Sequence, residues 1–277
     1  MPSFVYTCVP STRFSLTLAR LAIAAIVTTC MAFAALPADA ATKLKKNTGH
    51  SSIVIDATSG AVLQEDNADA QRYPASLTKM MTLYMLFQAL DSKKIDLNTM
   101  FPVSSRAQAQ SPTKLGLEAG DRIAVRDIIL GLVTQSANDA AVVAAEGIGG
   151  SEEHFGELMT AQAHRLGMNS TVYHNASGLP DPGQVTTARD LVKLSRALIR
   201  DYPHYYSYFS TTEFAFGSRR YANHNHLMSW YEGADGIKTG FINASGFNLA
   251  ASAVRDNRRL IGVVLGGPSA RTRDQYM

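Results

Sequence analysis

Cysteine is almost missing from this chain: of 277 residues only Cys8 and Cys30 are cysteines, and both lie within the first 40. Residues 41–277 can therefore hold neither a disulfide framework nor a catalytic thiol, and they can enter an oxidising compartment without mispairing. Charge of one sign is also scarce, with 26 Lys and Arg against 23 Asp and Glu. A formal charge of +3 is too mild to imply a nucleic-acid partner. No Gly-x-Ser-x-Gly elbow occurs, which argues against an α/β-hydrolase serine. No His-Glu-x-x-His occurs either; the close pair His224 and His226 reads as part of a polar loop, and neither a metal nor a cofactor is expected. Internal repeats and low-complexity linkers are absent.

What is present begins with a processing signal. Arg13 and Arg20 precede an apolar run over 21–36, and Ala38-Asp39-Ala40 supplies a small-x-small cleavage pattern. The run is short for a membrane span, which needs about 20 residues. Residues 1–40 are read as a signal peptide and 41–277 as one exported domain, large enough for a substantial core. Cleavage would remove Arg13, Arg20 and Asp39, lowering the formal charge from +3 to +2.

Periodicity predicts strands over 52–56 and 61–64 around the turn Ala57-Thr58-Ser59-Gly60. Helices are predicted over 77–90, 125–134, 139–146, 152–166 and 187–200, the last capped by Thr186 or Thr187 with Asp190 in its first turn. Strands return over 236–242, 248–254 and 259–265, the last two forming a hairpin through Arg255-Asp256-Asn257-Arg258. Strands at both ends around a helical middle indicate an α+β fold, an antiparallel β-sheet with a helical cluster.

Three short stretches carry possible chemistry. In "RYPASLTKMMTLYMLFQAL", Pro74 sets an extended residue before it and a helix after it, so Ser76 sits at a helix N-terminus. Lys79 is one turn on and shares its face. The apolar run that follows predicts a buried helix, and burial favours the neutral amine that could take a serine proton. Taken alone, the pair reads equally as a helix cap and a surface lysine, and a second Ser-x-x-Lys, Ser111 to Lys114, falls in a predicted loop. Ser136 and Asn138 lie between two apolar helical segments, where they could face one cleft or simply cap a helix. Lys238-Thr239-Gly240 lies in a strand, where residues 238 and 240 share a face and Gly240 leaves room for another backbone.

Together and in this order, the three resemble the Ser-x-x-Lys, Ser-x-Asn and Lys-Thr-Gly set of penicillin-binding proteins and serine β-lactamases. More narrowly, "YPASLTKMMTLYM", "SANDAA", "HNASGLPDP" and "DGIKTGFINASGFNL" are similar to the low-molecular-weight D-alanyl-D-alanine carboxypeptidases, serine peptidase family S11. The resemblance runs from about Ser52 to the C-terminus. It implies the transpeptidase-like fold of that group, with Ser76 as nucleophile, Lys79 as its base and Ser136 as a proton relay. It further implies Asn138, Lys238, Thr239, Gly240 and Phe241 as substrate-binding residues, with the backbone amides of Ser76 and Phe241 as the oxyanion hole. The implied partner is a peptidoglycan stem peptide ending in D-Ala-D-Ala, with β-lactam antibiotics as covalent inhibitors and the periplasm, or the outer face of the cytoplasmic membrane, as location.

A DD-endopeptidase acting on cross-links uses the same residues, and the sequence barely separates the two. A β-lactamase needs a further carboxylate to position water, for which no motif stands out, and a non-catalytic wall-binding protein need not keep all three motifs. The resemblance departs at the C-terminus, where "PSARTRDQYM" follows the last strand in place of a longer helix. A truncated helix, a partly uncovered sheet face and membrane attachment only through further C-terminal sequence are the corresponding expectations.

Overall fold

A computed structural model describes residues 44–277, with Met1 and Ser3 besides. The signal-peptide reading of 1–40 lies outside the described residues. In chain order the elements are β1 (Ser51–Asp56) and β2 (Val62–Asp66), then a 3-10 turn (Ala75–Thr78) that runs into α1 (Lys79–Asp91). Next come β3 (Met100–Pro102), α2 (Ser105–Gln108), β4 (Arg122–Ala124), α3 (Val125–Val133), α4 (Asn138–Gly149) and α5 (Glu152–Arg165). The last third holds α6 (Ala188–Asp201), α7 (Pro203–Tyr206), β5 (Glu213–Phe216), β6 (Arg219–Ala222), β7 (Ala234–Ile242), β8 (Gly246–Arg255), β9 (Arg258–Gly267) and α8 (Ala270–Tyr276). The α+β reading holds.

One five-stranded antiparallel sheet, in the order β2-β1-β9-β8-β7, joins both ends of the described chain. In β1 the alternation of buried and half-buried residues places Ile53 and Ile55 on the core side. The β8–β9 hairpin closes on Asp256 and Asn257, whose φ values of 48° and 60° are those of a type I′ turn. Asn and Asp tolerate that left-handed backbone better than other side chains.

The sheet's inner face is covered by α6, whose Leu191, Leu194 and Leu198 are fully buried. Thr187 caps this helix, accepting a hydrogen bond from the Asp190 amide at 3.1 Å. Beneath it α1 is buried nearly all round, with Met80, Met81, Leu83, Leu86 and Phe87 inaccessible to water. A helix with so little polar surface can only sit at the centre of the packing. On the outer sheet face, Val54, Leu63, Ala251, Leu260, Gly262 and Met277 line an open hollow of about 350 Å³. Among the described residues no helix is long and apolar enough to cross a membrane.

Two small two-stranded sheets, β3/β4 and β5/β6, escaped the sequence reading. Their strands have three or four residues, too few to show a period of two.

Asn248 ties the sheet to the start of α1. Its amide, itself fully buried, donates to the carbonyls of Tyr73 and Pro74 at 3.1 and 3.2 Å and accepts from Gly266 N at 3.0 Å. Asn248→Ala is expected to destabilise the fold by on the order of 3 kcal/mol in urea unfolding, because it strands three buried backbone groups. A loss below about 0.5 kcal/mol would mean that these bonds do not clamp the turn.

Candidate active site

The 3-10 turn begins at Ala75, whose φ of +49° is a left-handed conformation for a residue with a side chain. Such strain persists only where the surroundings enforce it. Two glycines do so here. A Cβ on Gly178 would run into the Ala75 carbonyl, and one on Gly240 would meet Leu77 at 2.9 Å and the Ser76 amide nitrogen at 3.0 Å. The turn that carries Ser76 is thus gripped between the Gly178 loop and strand β7.

Behind Ser76, the Lys79 amine is entirely buried. It lies 2.7 Å from Asn138 Oδ1, 2.5 Å from the Ser177 carbonyl and 3.3 Å from Ser76 Oγ. The first two are pure acceptors and engage two N–H groups. A neutral amine then keeps its lone pair for the third neighbour, whose hydroxyl can donate to it. Burial holds the Lys79 pKa well below that of an ordinary lysine, and the charge of Lys238 pushes it in the same direction. Asp139 and Glu152 pull the other way.

Both carboxylates are engaged elsewhere. Asp139 accepts from the amides of Leu115, Gly116 and Leu117 at 2.8 to 3.1 Å and from Ala140 N at 2.9 Å. Glu152 accepts from the Ala176 amide and from Arg106. Asp139 thereby pins the loop holding the second Ser-x-x-Lys against the site. That loop is wall rather than machinery: the Ser111 carbonyl accepts from Asn138 Nδ2 at 2.8 Å, Thr113 donates to the Ser136 carbonyl, and Lys114 donates to the Gln108 carbonyl.

Ser76, Ser136, Asn138, Thr239, Gly240 and Phe241 line one cleft of about 580 Å³. Lys79 and Lys238 are buried beneath it. Ser136 has φ +58°, and its buried hydroxyl has no hydrogen-bond partner among the described residues. Lys238 donates to the Thr239 carbonyl at 3.1 Å; burial, aided by the charge of Arg273, pushes its pKa down to about 7. Phe241 is half exposed and stacks at a tilt on Phe247, with 4.4 Å between ring centroids.

Several residues of the site were not singled out from sequence. Ser177 supplies a carbonyl to Lys79 from a loop knotted by Asn175, whose Oδ1 accepts from the amides of Ser177 and Gly178. The Asn-Ala-Ser-Gly run was a legible turn signal, but its partner was not. Arg273 lines the cleft, with two of its nitrogens on Asp274 and a third donating to the Asn248 carbonyl at 3.3 Å. His224 and His226, assigned from sequence only to a polar loop, also line the cleft. Burial, with the charges of Lys238, His226 and Lys79, lowers the His224 pKa to about 4. Arg273, with Lys238 buried nearby, thus marks one end of the cleft as its cationic end, while His224 beside them is held neutral.

Known proteins are similar to this chain in sequence and in fold. The sequence profile of peptidase family S11, described as D-alanyl-D-alanine carboxypeptidase, matches residues 38–269. D-alanyl-D-alanine carboxypeptidase DacC of Escherichia coli K12 is 42% identical over 229 residues, covering 80% of this chain and 57% of that protein. This chain therefore spans less than three-fifths of that relative's length. The solved structure of penicillin binding protein 5 from Haemophilus influenzae superposes with a TM-score of 0.79 at 36% identity, over 81% of this chain and 67% of that one. Penicillin-binding protein D2 from Listeria monocytogenes, solved in a cefotaxime-bound form, gives 0.74 at 30% identity, over 82% and 93%. With the profile spanning well over half of its residues, the chain belongs to the D-alanyl-D-alanine carboxypeptidase family, peptidase family S11.

Proposed function

We propose that this protein is a serine-type D-Ala-D-Ala carboxypeptidase that removes the terminal D-alanine of peptidoglycan stem peptides through an acyl-enzyme on Ser76, after export of residues 41–277. The observation that carries the reading is the buried Lys79 amine, whose protonated form its surroundings disfavour, 3.3 Å from the Ser76 hydroxyl. A serine beside such a base is an activated nucleophile.

In this scheme the substrate tail lies along β7, adding main-chain hydrogen bonds to its edge. β7 is the last strand of its sheet, so one edge is open to a peptide. The terminal carboxylate faces Thr239 and Arg273, in the positive field of Lys238. A carboxylate bound there favours the charged form of Lys238. Ser76 attacks the carbonyl between the two D-alanines while Lys79 takes its proton. The oxyanion is held by the amides of Ser76 and Phe241, each such donor being worth on the order of 3 kcal/mol. Asn138 holds Lys79 in place, and the unpartnered hydroxyl of Ser136 is free to hand the proton to the departing amine. The carboxylates nearest Lys79 are engaged by backbone amides, which favours a long-lived penicillin adduct over the fast deacylation of a β-lactamase.

Intact-protein mass after incubation with benzylpenicillin tests the scheme. The parent gains one adduct and Ser76→Ala none, while Lys79→Ala acylates about 10²- to 10⁴-fold more slowly. Parental acylation of Lys79→Ala would remove that lysine as the base.

The pH dependence has a definite sign. Acylation rises with pH as Lys79 loses its proton, and the charge of Lys238 helps to keep that titration low. Lys238→Gln removes the repulsion, so Lys79 holds its proton to higher pH and the acid limb of the acylation profile moves upward. The difference from the parent is confined to pH below about 7, where Lys238 itself is charged. An unmoved limb would show that the two lysines are not coupled.

A further inference from the structure

At the other end of β9 from the catalytic cleft, a hollow of about 380 Å³ is lined by Ala57, Thr58, Arg196, Ile199, Arg200 and Arg259. None of these residues lines the cleft. The β1–β2 turn forms one wall, the C-terminal half of α6 another and the start of β9 a third. Three guanidinium groups around one small hollow repel one another, so the negative charge that offsets them has to be accounted for.

Carboxylates offset two of the three. Arg259, with 25% of its side chain exposed, rests over the Tyr206 ring at 5.3 Å. Its Nη1 alone donates to the two Asp235 oxygens at 3.0 and 2.7 Å and to Ser252 Oγ at 2.6 Å. Its Nε and Nη2, the pair that forms a bidentate fork, make no hydrogen bond among the described residues. Arg200 spends its fork on Asp201 at 2.6 and 2.9 Å, which leaves Nη1. Arg196 spends its fork on the carbonyls of Ala57 and Thr58 at 2.8 and 2.7 Å. Among the described residues Arg196 has no carboxylate partner, and Asp56, next to Ala57, is matched by Arg258. One positive charge and one complete fork are therefore left at the hollow.

We infer that this hollow binds a phosphate group, either the free anion or the phosphate of a phospholipid headgroup. A tetrahedral phosphate has oxygens for the Arg259 fork and for the spare nitrogens of Arg196 and Arg200, whereas a planar carboxylate has only two. Protein groups already hold the three side chains, so binding orders little that was free. Gly267, at the other end of β9, pairs with Phe247 of the cleft wall. With 10 residues in β9, a phosphate-bearing surface gripped at the hollow would hold the cleft roughly 30 Å away. The inference is independent of the acyl-enzyme chemistry.

Equilibrium dialysis with radiolabelled inorganic phosphate, and co-sedimentation with phosphatidylcholine vesicles with and without phosphatidylglycerol, test the site. The parent is expected to bind in at least one of the two assays. Arg259→Lys keeps the charge beside Asp235 but loses the fork, and should raise Kd about tenfold. Arg200→Gln, at an exposed residue, should raise it about threefold and keeps the test decisive if the first variant does not fold. Arg273→Gln removes the cation at the cleft and should leave Kd within about twofold. Retention by phosphatidylglycerol vesicles that Arg259→Lys loses would identify a headgroup as the source, and phosphate binding without vesicle retention a free phosphate; both uphold the site. No binding in either assay, a Kd unmoved by both hollow variants, or a loss seen only in Arg273→Gln would each overturn it.

Discussion

A lysine amine kept from water is the constraint on which the rest of the molecule depends. An ammonium group at the position of Lys79 would be costly to bury and useless as a base, so the structure must both exclude water and offer no close carboxylate. It does so with a helix buried on all sides, an asparagine and a backbone carbonyl as the amine's acceptors, and a second lysine nearby. Asp139 and Glu152 lie near enough to act on Lys79, yet their oxygens are turned to backbone amides and to Arg106. The same two carboxylates that favour a proton on Lys79 thus order the loops around it.

Strain is concentrated at the same place. Ala75 and Ser136 both take left-handed backbone conformations, one just before Ser76 and the other in the second motif. Each is held by contacts from a different part of the chain: Gly178 and Gly240 against the first, Thr113 on the carbonyl of the second. Rigid local geometry here is a property of the assembled loops rather than of any one of them.

Much of this was legible in the sequence because the signals were local. The unbroken apolar run after Lys79 declared a central helix, and Asp256-Asn257 declared a hairpin. Gly240 declared a close approach, which turned out to be that of Ser76 and Leu77. What stayed hidden depends on side chains meeting across long separations. Nothing around Arg273 announces that it reaches a cleft built by residues 76 and 239, and the loop carrying Ser177 gives no sign that its carbonyl meets Lys79. The spacing of His224 and His226 suggested only a polar loop, whereas the fold sets both on the cleft wall. The second Ser-x-x-Lys shows the converse, since its pattern matched and its surroundings made it a wall.

Strand β9, near the C-terminal end of the described chain, pairs on one side with β1, near the beginning, and on the other with β8, which carries β7. Contacts of such sequence separation close late, because the entropy of a very long loop must be overcome before they are rewarded. Until they close, no strand presses Gly240 against the serine's turn, and water can reach the amine. On the acyl-enzyme reading, a chain whose sheet is still open would carry a water-exposed, protonated lysine, and the base would form only when the sheet closes.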